Sequence, residues 1–246
     1  MFRKKTPFLY QIDSLETLGS AHHEAYNQAE PFRHIVLDHF LPEKEAKAAL
    51  KAFPKPTSDI WLDWTKRDTV HQPKKQGIGH ASRLKGVDPD LLTLLHAFNA
   101  YPFLNFLEKL TGIKGLLPDP YFNGGGLHQI LSGGKLAVHT DFNHLESLNI
   151  YRRLNVIFYL NQDWKDSYNG HLELWDKHGK TCVKSVAPRF NRLVVFNTDK
   201  GSLHGHPKPL STPDGVTRKS IALYYYTASP SQDAEYNGLT DWFETD

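Results

Sequence analysis

Between Leu127 and Tyr226 the chain breaks into eight short apolar runs: Leu127–Leu131, Leu136–His139, Leu154–Leu160, Leu172–Trp175, Cys182–Val186, Leu193–Phe196, Leu203–His206 and Ile221–Tyr226. Each is bounded by Gly, Asn, Asp or Pro, the residues that turn a chain or end a strand. No long helical pattern separates them, which argues against a parallel sheet with crossover helices. Strands this short and this closely spaced satisfy their edges by pairing antiparallel in a sandwich or jelly roll.

The first third has a different texture. Asp13 and Glu16 have capping-box spacing ahead of a polar segment that reads as helix to about Ala29. Phe32–Phe40 is apolar and β-branched, a strand. Pro42 then opens a helix whose inward stripe is Leu41, Ala46, Ala49, Leu50 and Phe53, and Pro54 and Pro56 stop it. Thr65–Gly86 has no periodicity and reads as a long loop. Asp88-Pro89-Asp90 starts another helix with Leu91, Leu94, Leu95 and Phe98 facing inward, and the apolar face resumes from Phe103 until Thr111-Gly112 ends it. These helices are expected to cover one sheet from outside. The expected fold is α+β, mainly β, in one domain over residues 1–246. Within it, 1–117 is helical support with an N-terminal strand, 118–229 a jelly-roll core and 230–246 a C-terminal tail.

Composition removes several function classes. The net charge is only +2 with basic residues scattered, so a nucleic-acid surface is not expected. A single cysteine, Cys182, excludes a disulfide-stapled scaffold. No run approaches the roughly 18 apolar residues of a membrane span. The opening MFRKKTPFLYQIDS lacks the apolar core of a signal peptide, so a cytoplasmic location is expected. Nothing in the sequence sets the oligomeric state.

The chain's chemistry is carried by its histidines. His139 and Asp141 stand two apart at the end of a strand, where side chains i and i+2 share a face. His204 lies on a distant strand and can supply a third donor; His206, two residues on, is its rival. His144 would extend the first pair to H-x-D-x-x-H, a zinc-like alternative, although a turn after Phe142 carries it toward the rim. Two histidines and one carboxylate form the facial triad that holds non-haem Fe(II) and leaves positions open. Arg218 opens the last strong strand behind His204, where its planar fork can meet a carboxylate bidentately.

The stretches GGGLHQILSGGKLAVHTDF, RRLNVIFYLNQDW, GHLELWD, PRFNRLVVFNTD, SLHGHP and RKSIALYYYT together resemble the 2-oxoglutarate/Fe(II) oxygenase superfamily, in its prolyl 4-hydroxylase-like branch. PFRHIVLDHFLPEKEAKAAL is similar to the strand and helix that precede this core. The resemblance implies a double-stranded β-helix and an enzyme using Fe(II), 2-oxoglutarate and O2, with ascorbate as an optional addition. It makes His139, Asp141 and His204 the metal ligands and Arg218 the holder of the co-substrate's far carboxylate, joined there by the Tyr159 hydroxyl. It places Gln129 as a polar contact near the co-substrate's proximal end. Three positions depart from the branch: Leu136 replaces a Tyr, Asn155 a Thr and His171 a Gly.

The activity implied is hydroxylation of an unactivated C–H, on a prolyl residue or another protein or small-molecule substrate. The alternatives are a jelly-roll metal-binding module and a cupin-like metal hydrolase or isomerase, neither using 2-oxoglutarate. Three segments are expected to line the mouth of the barrel: Thr65–Gly86, Asn143–Arg153 and Pro207–Thr217.

Overall fold

The start and stop signals of the later helices act as written, whereas Asp13, expected to cap a helix running to about Ala29, lies inside a helix that spans Ile12–Ala21 and a second, short one follows at His23–Asn27. Asp88 accepts a hydrogen bond from Asp90 N at 2.9 Å and Pro89 starts the helix, as a capped N-terminus requires. Gly112 ends the last long helix in the left-handed conformation, φ 78°. The computed structural model describes residues 12–63, 68–79, 81–231 and 240–243; the basic opening of the chain lies outside them. The helices are α1 (Ile12–Ala21), α2 (His23–Asn27), α3 (Glu43–Ala52), α4 (Ala81–Leu84), α5 (Pro89–Phe98) and α6 (Tyr101–Thr111).

Two antiparallel sheets follow. The larger runs β1 (His34–Leu37), β11 (Arg192–Asn197), β8 (Ile150–Tyr159), β13 (Arg218–Thr227), β5 (Gly126–Ile130), β3 (Lys75–Ile78) and β2 (Leu62–Asp63). The short β4 (Leu117–Pro118) pairs with β13, and β7 (His144–Leu145) pairs with β8. The smaller sheet runs β10 (Cys182–Val186), β9 (Leu172–Trp175), β12 (His204–His206), β6 (Leu136–Thr140) and β14 (Asp241–Phe243). This is the double-stranded β-helix that the spacing of the apolar runs anticipates.

Strand alternation divides the molecule into a greasy outside layer and a polar interior. Leu154, Val156 and Phe158 of β8 and Ile221, Leu223 and Tyr225 of β13 face the helices and share one buried cluster with Leu91, Leu95, Phe98, Phe103 and Phe106. Phe98 lies 4.9 Å from Phe103 and 5.8 Å from Phe158, ring centre to ring centre, and the Tyr225 hydroxyl donates to Phe98 O at 2.8 Å. Fully burying one such aromatic contributes on the order of 1.5–3 kcal/mol, so this layer supplies the rigidity. The alternate residues, Asn155 and Ile157 on β8 and Arg218, Ser220, Ala222 and Tyr224 on β13, are free to line a cavity.

Two segments differ from the sequence reading. Within Thr65–Gly86 lie β3 and α4, formed because β3 finds a partner in β5 (Gln76 opposite Gln129) that no local pattern announces. In the expected tail, residues 241–243 pair with β6, Trp242 opposite His139. Gly126 shows why the triple glycine precedes β5. At φ 87° its Cα faces Ile78 O so closely that a Cβ has no room, and β3 could not otherwise dock.

Candidate active site

The open end of the barrel holds a cavity of about 230 Å³ between the two sheets. His139 is the penultimate residue of β6 and His204 begins β12, and the two are directly paired across the smaller sheet. Asp141 follows His139 by two. One donor atom from each of the three lies within 4.8 Å of the others. His139 Nε2 is 3.5 Å from Asp141 Oδ1 and His204 Nε2 is 3.4 Å from Oδ2.

Backbone carbonyls set the histidine tautomers. His139 Nδ1 sits 2.9 Å from Ala137 O, and His204 Nδ1 sits 2.9 Å from Ser202 O. A carbonyl only accepts, so each Nδ1 carries the hydrogen and each Nε2 lone pair points at the carboxylate. Burial, then the neighbouring His204, push the His139 imidazole below its ordinary value, toward the neutral form that ligates metals. Two imidazole lone pairs and a carboxylate converging this closely repel unless a cation sits among them. The donor set therefore fits a divalent metal, and two nitrogens with one oxygen suit Fe(II).

Asp141 is held from behind. Arg152, wholly buried, donates from Nη2 to Asp141 Oδ2 at 3.0 Å, and Asn155 Nδ2 donates to the same oxygen at 2.5 Å. Arg152 Nε also donates to Asn155 Oδ1 at 2.9 Å, and its guanidinium stacks 3.4 Å over the Tyr224 ring. Burial alone raises the Asp141 carboxyl. The charge of Arg152, with His204 and His139, outweighs it and holds the group well below the usual carboxylate range. Asn155 thus has a task of its own where the branch carries Thr.

At the far end of the cavity Arg218 is buried, with Nε donating to Gly170 O at 2.7 Å and Nη2 to the Tyr159 hydroxyl at 2.9 Å. The structure thus brings together His139, Asp141, His204, Arg218 and Tyr159. Gln129 is not among them. Strand β5 alternates regularly, so His128 and Ile130 face the cavity while Gln129 points to the other side. There it donates to Gln76 Oε1 at 2.7 Å and accepts from Thr217 Oγ1 at 2.9 Å. A co-substrate contact by Gln129 is therefore corrected: its amide is already satisfied elsewhere.

His144 stands apart from the triad, stacked on Tyr151 at 4.8 Å. Glu173 does not line the triad's cavity and accepts from Trp175 Nε1 at 3.2 Å. Of the three segments expected at the mouth, only the first contributes described residues to the cavity wall, through Gln72, Lys75, Gly77 and Gly79. Pro207–Thr217 is tied down elsewhere, with Leu210 exchanging backbone hydrogen bonds with Gly133 and Gly134 at 2.8 and 2.9 Å. Arg152, Lys75 and Trp242 support or line the site without a local sequence signal that announces them.

Two histidines and one carboxylate inside a jelly roll, with an arginine lining the same cavity, form a donor set that suits a non-haem Fe(II) centre. Residues 125–226 match the family described as the 2OG-Fe(II) oxygenase superfamily. A prolyl 3-hydroxylase of Xenopus laevis is 37% identical over 82 residues, 32% of this chain and 16% of that protein. Egl nine homolog 1 of Rattus norvegicus is 29% identical over 89 residues, 36% of this chain and 25% of that one. This chain thus aligns with a quarter or less of the length of either relative. A Trichoplax adhaerens prolyl hydroxylase, solved in complex with a hypoxia inducible factor oxygen degradation domain peptide fragment, superposes with a TM-score of 0.62. The two are 18% identical, and the match covers 90% of this chain and 94% of that one.

Proposed function

We propose that this chain is a 2-oxoglutarate- and Fe(II)-dependent dioxygenase that hydroxylates an unactivated C–H of a prolyl or similar substrate. The observation that carries the reading is the joint presence, in one cavity, of the triad and Arg218, whose Nη2 donates to the Tyr159 hydroxyl behind the cavity wall. A cupin-like hydrolase gives Arg218 no task, and a binding module without chemistry has no need of a complete ligand set. The prolyl part of the reading rests on the kinds of protein the chain resembles. It is supported by the apolar surfaces of Leu136, Phe142, Tyr224 and Trp242 at the cavity wall, which suit a saturated ring.

The metal, when bound, supplies O2 activation coupled to oxidative decarboxylation of the co-substrate. The protein's own residues do the rest. His139, Asp141 and His204 would hold the ion. Two N–H groups of Arg218 are committed to Gly170 and Tyr159, which fixes the plane of the fork and leaves its other donors for a carboxylate. Phe142 and Trp242 restrict water around the reacting carbon. No general base is required of the chain. An exposed Cys182 outside any disulfide supports a reducing compartment, and a cytoplasmic location is part of this proposal.

The test is anaerobic addition of Fe(II) and 2-oxoglutarate. A visible metal-to-ligand charge-transfer band should form, vanish in His139→Ala and weaken in Arg218→Ala. Absence of the band in wild type overturns the reading. Substrate-stimulated succinate release across peptides, amino acids and sugars then identifies the acceptor, with prolyl peptides expected to respond.

A further inference from the structure

His206 has no part in the chemistry above, yet it is placed as if it should. It is 2% exposed, and neither ring nitrogen has a hydrogen-bond partner. Buried polar atoms left unsatisfied on both sides of one ring are rare, and they destabilise the fold that carries them. It is not part of the triad, whose converging donors belong to His139, Asp141 and His204.

Its position explains what could use it. The ring forms part of the wall between the main cavity and a second, polar cavity of about 210 Å³ lined by Asn169, Glu173, Ser185 and Lys208. Gly170, whose carbonyl receives Arg218 Nε, lines that second cavity too, so His206 stands at the Arg218 end of the site. An imidazole carries an N–H donor in either protonation state.

We propose that His206 donates a hydrogen bond to the far carboxylate of 2-oxoglutarate beside Arg218 and Tyr159. The carboxylate clamp of this chain then has three prongs. This inference rests on the reading of Arg218 as the co-substrate anchor. It accounts for the sequence His204-Gly205-His206. A Cβ at Gly205 would lie 2.7 Å from Ala137 O and 2.9 Å from Leu136 O, so only glycine lets the two histidines meet the same cavity from adjoining positions.

The experiment uses the full chain loaded with Mn(II), which binds without turnover, and titrates keto acids by calorimetry. His206→Val should weaken 2-oxoglutarate at least about tenfold, the loss expected for a hydrogen bond to a charged group. It should leave 2-oxopentanoate, which lacks the far carboxylate, within twofold. Mn(II) affinity should stay within twofold, and His206→Gln, which keeps a donor, should recover part of the loss. The metal-free His206→Val protein should melt at or above wild type, since it no longer buries an unsatisfied ring. Unchanged 2-oxoglutarate affinity in His206→Val overturns the proposal, as does an equal loss for both keto acids or a collapse of Mn(II) binding. Arg218→Met in parallel separates the two ideas. If it too leaves 2-oxoglutarate binding intact, the anchor reading fails; if it alone is impaired, only the role of His206 does.

Discussion

Arg152 Nη2 lies 3.0 Å from Asp141 Oδ2, so the one anionic ligand of the triad is already held by a buried guanidinium. The guanidinium is itself fixed by Asn155 and by the faces of Tyr224 and Phe142, at 3.4 and 4.9 Å. Such partners of metal ligands orient them and commonly account for ten- to a hundredfold in affinity. Arg152→Met should therefore weaken Mn(II) binding by about that factor. It should also cost about 3 kcal/mol in urea unfolding of the metal-free protein, because Asp141 stays buried beside His139 without its counter-charge. Arg152→Lys should rescue little, a single ammonium being unable to bridge Asn155 and Asp141 together. Wild-type Mn(II) affinity in Arg152→Met refutes the positioning role.

Arg152 also marks where the sequence stops being legible. The strands themselves, the capped helices and the triad follow from local chemistry: apolar runs, Asp88-Pro89, H-x-D and a later histidine. Strict alternation along β8, however, puts Arg152 on the helix face with Leu154 and Val156. Opposite it the register slips, Tyr225 facing Leu154 and Tyr226 facing Arg152, and this bulge turns Arg152 to the side of Asn155. A bulge depends on the partner strand, so one strand's pattern cannot announce it. The opposite lesson comes from Gln129, where plain alternation on β5 was sufficient to place the side chain outside the cavity and His128 within it. Strands β3 and β14 were invisible for a third reason: each is short, and pairing with β5 or β6, at positions far away in the chain, creates it.

The bulge between β6 and β12 gives a second prediction. His204 faces His139, but His206 faces Leu136, so β6 carries the extra residue. Gly205 sits against the carbonyls of that bulge. Gly205→Ala forces the strands apart, at about 1–3 kcal/mol for an overpacked site. His204 should shift with the strand, so Mn(II) affinity should fall along with the melting temperature. A variant with normal metal affinity shows that the close approach does not position the ligand.

Lys75 supplies a pH signature in the metal-free protein. It lines the cavity wall, donates to Gln72 Oε1 at 3.0 Å, and is brought down to about 8 by burial and by Arg152, against the pull of Asp141 and Asp68. In the unfolded chain the ammonium persists to about pH 10.4. Between these values the unfolded state binds more protons, so stability rises with pH across the window; below pH 8 the full cost of a desolvated charge is present. Lys75→Met should be more stable than wild type at pH 7, by about 1–2 kcal/mol after allowance for solvent screening. The advantage should shrink as pH rises through the window. A constant difference between the two proteins from pH 7 to 10 would show that Lys75 does not titrate there.

The last segment of the chain can be followed by its own fluorescence. Trp242 pairs with His139 across β6 and β14, its ring centre 5.0 Å from that of His139, and His71 stacks on it at 4.4 Å. A paramagnetic ion such as Co(II), held by His139 Nε2, would sit within a few ångströms of this indole and quench it efficiently. Titrating Co(II) into wild type should therefore remove a component of tryptophan emission that is absent from Trp242→Phe. The ion's affinity should be similar in both, since Trp242 offers no ligand atom. Truncation after residue 231 should remove the same component and raise the access of a neutral quencher such as acrylamide to the remaining site. Equal fractional quenching of wild type and Trp242→Phe by Co(II) would place the ion, or the strand, elsewhere.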